Sequence, residues 1–355
     1  MADFAAAPTL DNLLDSLARF EPGEDPVISL YLNLRANQHG KDAYAPFLKK
    51  ELAARGRTFP PESAARASFD QDVVRIERYL AEVPASANGV AMFACGARHL
   101  FEAALLDAPL DQHRLSVAAQ PQLAPLELVL DQHPRHALVL ADSHAARIFV
   151  VGPGRRLAET VEGEPVRRSS GGGWAQARYQ RHIEKLQADH ARELVQTLER
   201  LVRTERVEHI ILAGDEVNVP LVRKELSKEL AAKVIDQVRL EVHAPEQEVL
   251  RAAADALRRH DAATDAEIVA STLDDYRAGG LAVAGPAETL AALELGQVDE
   301  LYLTTAERFT ADGREVAADE FVSRARQTSA DVRFIEEAAL LEPVNGVAAA
   351  LRFRI

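Results

Sequence analysis

The stretch that most constrains this chain is Gly171-Gly172-Gly173 and the long helix-forming run that opens directly after it at Trp174. Glycine carries no Cβ, so successive glycines let the backbone enter conformations closed to other residues and approach another molecule closely. Beyond them Ile183, Leu186, Leu194, Leu198, Leu201 and Val202 recur at helical spacing, which predicts a rigid amphipathic helix from Trp174 to about Arg203. On that helix Arg178, Arg181, His182 and Lys185 fall at i, i+3, i+4 and i+7, so three fixed positive charges and one titratable group share a stripe. Arg167 and Arg168 add charge just ahead of the glycines. The expectation is a loop of wide conformational reach, standing at an exposed tip and anchored on its C-terminal side by a basic rod.

The chain as a whole carries a formal net charge of −14, which excludes a protein that coats nucleic acid indiscriminately. Any RNA contact must be local, and the segment from Arg155 to Lys185 is the local exception. A solvated helix face is the alternative account of the same stripe. A length of 355 residues exceeds one core, and about 100 to 200 residues per domain leads us to expect three. A hydrophobic content of 47% with 27% charged residues is globular, and no apolar run approaches the roughly 20 residues that span a bilayer. The N-terminus lacks a charged region ahead of an apolar core, so a cytoplasmic protein with no membrane partner is expected. Cys95, the only cysteine, lies in an apolar run and reads as a buried small hydrophobe.

Taken in order, a capped helix is expected over 9–19, a strand over 27–32, helices near 41–55 and 62–83, and two strands at 89–96 and 99–106. Pro121, Pro125 and Pro134 mark a domain boundary in this reading. Strands at 136–141 and 146–151, with a weaker one near 157–161, form a meander leading to the glycines. A strand at 209–214 and a helix from about Val217 to Ala232 follow. Gly214 stands where a phosphate could be cradled, but no Gly-Lys-Ser/Thr follows it. A helical region from Pro245 to Arg277, interrupted near His260-Asp261, leads to the last domain. There Gly296 reads as the glycine just past a helix and Val298 to Leu303 as a strand. The fold class is therefore α/β, in three domains: an N-terminal α/β domain over 1–130, an α/β middle domain over 131–262 bearing the glycine-rich loop and long helix, and a C-terminal α/β domain over 263–355.

Gly173-Trp174-Ala175-Gln176 followed by Arg178-Tyr179-Gln180-Arg181 resembles the peptidyl-transferase-centre loop of the class-I release factors of archaea and eukaryotes. In that family a Gly-Gly-Gln tip precedes a helix with a basic-aromatic-basic pattern. Here the glutamine comes after Trp174 and Ala175, a Gly-x-x-Gln variant similar to the form in bacterial homologues. The stretch from Gly279 to Leu303, with Ala-Leu-Glu-Leu-Gly-Gln-Val at its centre, is similar to the family's C-terminal domain. An Asn-Ile-Lys-Ser tetrapeptide and the Tyr-Cys-Phe motif, with which stop-decoding members read codons, are absent. The resemblance implies an esterase that hydrolyses peptidyl-tRNA on the ribosomal large subunit, in rescue or quality control of stalled ribosomes rather than in stop-codon reading. It implies Gly172, Gly173 and Gln176 as the catalytic residues, with Arg167, Arg168, Trp174, Arg178, Tyr179, Arg181 and Lys185 against RNA, and a translational GTPase as a candidate further partner.

Two readings of other classes remain beside it: a non-catalytic ribosome- or RNA-binding protein on the same scaffold, and a nuclease cutting the tRNA acceptor end. For Trp174, hydrophobic packing at the helix start competes with stacking on a base. His133-Pro134-Arg135-His136 and Asp142-Ser143-His144 invite a metal, but the proline prevents a regular helical His pair and no third ligand recurs at diagnostic spacing, so neither metal nor cofactor is expected. No Gly-x-Ser-x-Gly elbow is present, and Ser169-Ser170 read as loop residues.

Overall fold

The protein, seen as a computed structural model, is described over residues 9–35, 44–84, 87–108, 110–142, 145–154, 157–162 and 174–354, with the backbone alone for 162 and 174–184. It divides into two compact units, one formed by Met1–His133 with Asp265–Ile355 and one by Pro134–Thr264. It is a mixed α/β protein, as its pattern of elements indicated.

In the first unit β1 (Val27–Asn33), β2 (Gly89–Cys95), β3 (Leu100–Leu106) and β4 (Arg114–Ala118) form an antiparallel sheet in the order β3-β2-β1-β4. β1 and β2 read as nearly continuous apolar runs because both sheet faces are covered. Ile28, Leu30, Val90 and Met92 point to α2 (Tyr44–Gly56) and α3 (Ala64–Glu82), where Leu48, Leu52, Phe69 and Ile76 are buried. On the other face Tyr31, Ala91 and Phe93 join a core that includes α1 (Leu10–Ala18) and α4 (Ala124–Gln132). Cys95 is buried at the end of β2, as expected of a small hydrophobe.

The stretch marked by the prolines carries α4, and the division between the two units falls just past its end, between His133 and Pro134. Pro125 sits in the first turn, where its missing N–H has no helical partner to lose, and Pro134 follows the helix end. Leu123, Ala124, Leu126 and Val129 are buried, so α4 belongs to a core of the first unit. The same unit holds a sheet in the order β10-β15-β11-β14, built from β10 (Ala282–Ala284), β11 (Val298–Thr304), β14 (Asp331–Ile335) and β15 (Val347–Leu351). A hairpin of β12 (Arg308–Ala311) and β13 (Arg314–Ala317) lies beside it in sequence, and α9 (Pro286–Glu294) and α10 (Ala318–Gln327) cover one face. Gly296 has φ +66°, the left-handed conformation expected of a residue just past α9.

The second unit is a sheet in the order β7-β6-β5-β8-β9. Its strands are β5 (His136–Ala141), β6 (Ala145–Val151), β7 (Leu157–Glu162), β8 (His209–Gly214) and β9 (Val234–Val238). β5, β6 and β7 form the expected antiparallel meander, while β8 is parallel to β5 and β9 to β8. Alternate residues divide between the faces: Ala137, Val139 and Ala141 meet α5 (Trp174–Glu205) and α6 (Asn218–Glu225), while Leu138 and Leu140 meet Val249, Ala253 and Leu257 of α8 (Glu246–Arg277). Two helix expectations are corrected. The run from Val217 to Ala232 breaks into α6 and α7 (Lys228–Ala232), because Leu226 turns extended and the Ser227 hydroxyl caps α7 by accepting Leu230 N–H at 3.2 Å. The interruption near His260-Asp261 is absent, and α8 is continuous through it. No glycine or proline stands there to break it, and the His260 ring packs 5.3 Å from that of His209. Among the described residues no helix is long and apolar enough to cross a membrane.

Candidate functional site on the long helix

α5 is the element on which the expected site residues converge. It runs from Trp174 to Glu205, two residues beyond the expected end, and its first residue follows the last glycine directly. Gly172 and Gly173, with Gly171, Arg167, Arg168, Ser169 and Ser170, lie outside the described residues, so the structure does not address the expectation of an exposed tip. Trp174 and Gln176 occupy the first turn, and Arg178, Tyr179 and Arg181 the next two; their backbone is helical, and their side chains are outside the description. The helical register puts Arg178, Arg181 and Lys185 on one stripe, and Lys185 is exposed.

The helix is held firmly from its middle onward. Ala191, Leu194, Val195, Leu198, Leu201 and Val202 are buried against the sheet. Arg200 donates to Glu159 of β7 at 2.5 Å, and Arg192 reaches Glu225 of α6 at 3.4 Å. At the far end Arg135, just before β5, is ion-paired with Glu205. Arg206 takes φ +52° and Val207 N–H returns to Val202 C=O at 3.1 Å, closing the last turn. The end of α5 that follows the glycines is thus set by a rod whose remaining turns have little freedom to shift.

Where α5 crosses the carboxyl end of β5 there is a small cleft lined by Asp142, Gln187, His190, Leu194, Asn218 and Leu221, among others. His190 is 8% exposed, and neither ring nitrogen has a hydrogen-bond partner. A buried polar atom left so costs about 1–3 kcal/mol, which makes this residue the exception in its neighbourhood. Nearby polar groups are engaged: Asp142 Oδ1 accepts Ala145 N–H at 2.7 Å, and Asp215 Oδ1 accepts the N–H groups of Val217 and Asn218 at 3.0 and 2.7 Å. Those bonds, first that from Asn218 N–H, hold the Asp215 carboxyl below its ordinary range. The sequence reading passed over His190 as a helical residue. Its signal was available, since it sits four and eight residues before Leu194 and Leu198, on the buried stripe.

Gly214 has a structural reason and not a phosphate to explain it. Its φ is +148°, and a Cβ there would stand 2.4 Å from Ala141 C=O of the paired strand. His136 is buried with Nδ1 2.8 Å from Pro134 C=O, and burial pushes its pKa below the ordinary value. Among the described residues no group of three or more His, Cys, Asp or Glu side chains is placed to hold a metal.

Residues 121–258 match the family described as Bacterial archaeo-eukaryotic release factor family 10. The matched span takes in the meander, the glycine stretch and the whole of α5, and is less than half of the chain. No curated protein matches. Among solved structures, an archaeal translation termination factor, aRF1, is 18% identical with a TM-score of 0.28, over 97% of each chain. A ribosome-bound archaeal Pelota, in a structure with ABCE1, is 16% identical with a TM-score of 0.41, over 99% of this chain and 96% of that one. Dom34 of S. cerevisiae, described as a termination-like factor of RNA quality control, is 12% identical with a TM-score of 0.41, over 75% of this chain and 80% of that one. At such identities and TM-scores these three say nothing of what this chain does.

Proposed function

We propose that this chain, whose residues 121–258 match the family described as Bacterial archaeo-eukaryotic release factor family 10, hydrolyses the ester of peptidyl-tRNA at the ribosomal large subunit, in rescue or quality control of stalled complexes. The observation that carries the reading is that one family match spans both the glycine stretch and the helix that anchors it. Water is a poor nucleophile for this ester, and the ribosome supplies much of the electrostatic surroundings. The factor's part is to place water and meet developing charge. Gln176 suits that part, because its amide offers a donor and an acceptor without titrating. Backbone N–H groups at Gly172 and Gly173 can face the oxyanion. Arg167, Arg168, Arg178, Arg181 and Lys185 are assigned to RNA phosphates, and Trp174 and Tyr179 to stacking on bases. A translational GTPase is the further partner proposed. On this reading the working parts are residues 1–130, 131–262 and 263–355, the middle one entering the ribosome.

The test is single-turnover release of a labelled nascent peptide from stalled ribosome complexes. Gln176→Ala is expected to abolish release while leaving ribosome binding intact, and Trp174→Ala to reduce it less. Replacing Arg178, Arg181 and Lys185 together by glutamate should weaken ribosome pelleting and flatten its salt dependence, because fewer counterions are released. Full release by Gln176→Ala, or none by the parent on any stalled complex, would replace this reading with a non-catalytic binding protein. Cleaved tRNA acceptor ends on a gel would replace it with a nuclease.

A further inference from the structure

We propose that the cleft beside His190 is an internal solvent site, in which one ordered water completes the hydrogen bonds of His190 and joins α5 to the carboxyl end of β5 and the start of α6. A neutral imidazole carries one N–H and one lone pair, and here both lie buried without a partner in the protein. Of the other buried side-chain polar atoms described in this unit only Arg135 Nε lacks a hydrogen-bond partner, and its guanidinium is ion-paired with Glu205 through Nη2, while His136, also buried, has a carbonyl against its ring. The missing partner must therefore come from outside the chain.

The cleft says what kind of partner fits. Its interior is about 10 Å³, which is room for a single water. A stable internal water needs two to four polar neighbours, and Asp142, Gln187 and Asn218 are the polar residues that line the cleft beside His190. Gln187 stands one turn before His190 on α5, and Asn218 opens α6 with its Nδ2 held 3.0 Å from both Asp215 oxygens. An anion is disfavoured by Asp142. A metal ion lacks ligands, since no set of three candidate side chains gathers among the described residues. A neutral, water-sized group that both donates and accepts is the remaining class, and solvent provides it. Such a water adds a polar tie among three elements already held by apolar packing and by the Arg192–Glu225 ion pair, so His190 acts as a positioning residue for the helix that follows the glycines.

A hydrated and a dry histidine respond to replacement with opposite signs. In a dry cleft His190→Phe removes two unmet polar atoms and raises the urea midpoint. In a hydrated one it removes the imidazole that holds the water, leaves the water short of a hydrogen bond and lowers the midpoint, by roughly 0.5 M at ordinary slopes. The experiment is urea unfolding of the full chain, followed through Trp174, its single tryptophan, for the parent, His190→Phe and His190→Gln, beside a high-resolution crystal structure of the parent. The expected results are a lowered midpoint for His190→Phe, recovery of more than half of the shift in His190→Gln, and solvent density within hydrogen-bond distance of a His190 ring nitrogen. A dry cleft in the parent overturns the site. A hydrated cleft with an unchanged or raised midpoint in His190→Phe, or with no recovery in His190→Gln, overturns the role given to the water. None of these readouts uses peptide release, so the site stands or falls apart from the proposed function.

Discussion

Arg326 in the first unit and His190 in the second are both polar side chains set into apolar packing, and the fold treats them in opposite ways. Arg326 of α10 lies against Glu127 of α4 with two donors, Nε and Nη2, each 2.6 Å from a carboxylate oxygen, and reaches Asp11 and Asp15 of α1 at 3.3 and 3.5 Å. Burial alone would pull its pKa down, but the bonds to Glu127 and the charges of Asp11 and Asp15 hold it above its ordinary value. His190 is buried more deeply, and neither of its ring nitrogens has a hydrogen-bond partner. The difference separates two uses of interior polarity. A buried charge in company pins together helices distant in the chain. A buried polar group alone marks where the chain is completed by something it does not encode.

The largest expected effect breaks the first member of this pair. Arg326→Met leaves Glu127 buried without its partner and should cost about 3–5 kcal/mol, read as a lowered urea midpoint of the first unit. Adding Glu127→Leu should restore most of it, since a matched apolar pair carries no stranded charge. A single variant costing under about 1 kcal/mol would show that Arg326 is solvated rather than enclosed.

The next effect tests whether the first unit repeats the device. Arg333 of β14 bridges Asp265 of α8 at 2.9 Å and Glu300 of β11 at 3.2 Å. Asp265→Ala is expected to cost about 1–3 kcal/mol, less than Arg326→Met because Glu300 remains as a partner. Equal costs would make the two networks equivalent. A smaller loss, about 1 kcal/mol, is expected from Asp215→Ala, which removes the carboxylate that accepts the first N–H groups of α6. Amide exchange at Val219, Leu221 and Val222 is the readout, and unchanged exchange would mean that the helix start is held by packing alone.

The smallest effect appears only in acid and sharpens the contrast between two buried histidines. Burial holds His136 below its ordinary pKa of 6.5, so the folded state favours the neutral ring. Its contribution to stability is complete above about pH 6.5 and is lost as pH falls from there toward the lowered folded value. Amide exchange in β5 and β8 should accelerate over that window, and less so in His136→Gln. An identical acid dependence in both proteins would assign the effect to other groups.

Much of this architecture was legible in the residues. α5 could be read from Leu194, Leu198 and Val202, β5 and β8 from unbroken apolar runs, and the left-handed Gly296 from its place after a helical pattern. These are local features, in which each residue's neighbours in sequence are also its neighbours in space. α4 is hidden in the sequence because a proline signals a break as readily as it starts a helix, and the turn at Leu226-Ser227 because a cap competes with helical periodicity over a single residue. Of the candidate site, the basic stripe on α5 was visible from spacing alone. Tertiary structure decided the rest. Glu127 and Arg326 stand 199 residues apart, residues 1–133 share a compact unit with 265–355, and His190 differs from any other helical residue only because Asp142 and Asn218 come from other elements to line its cleft. Periodicity tells a residue which way to face, but which partner it meets there depends on long-range packing, and no window of sequence contains both sides of that contact.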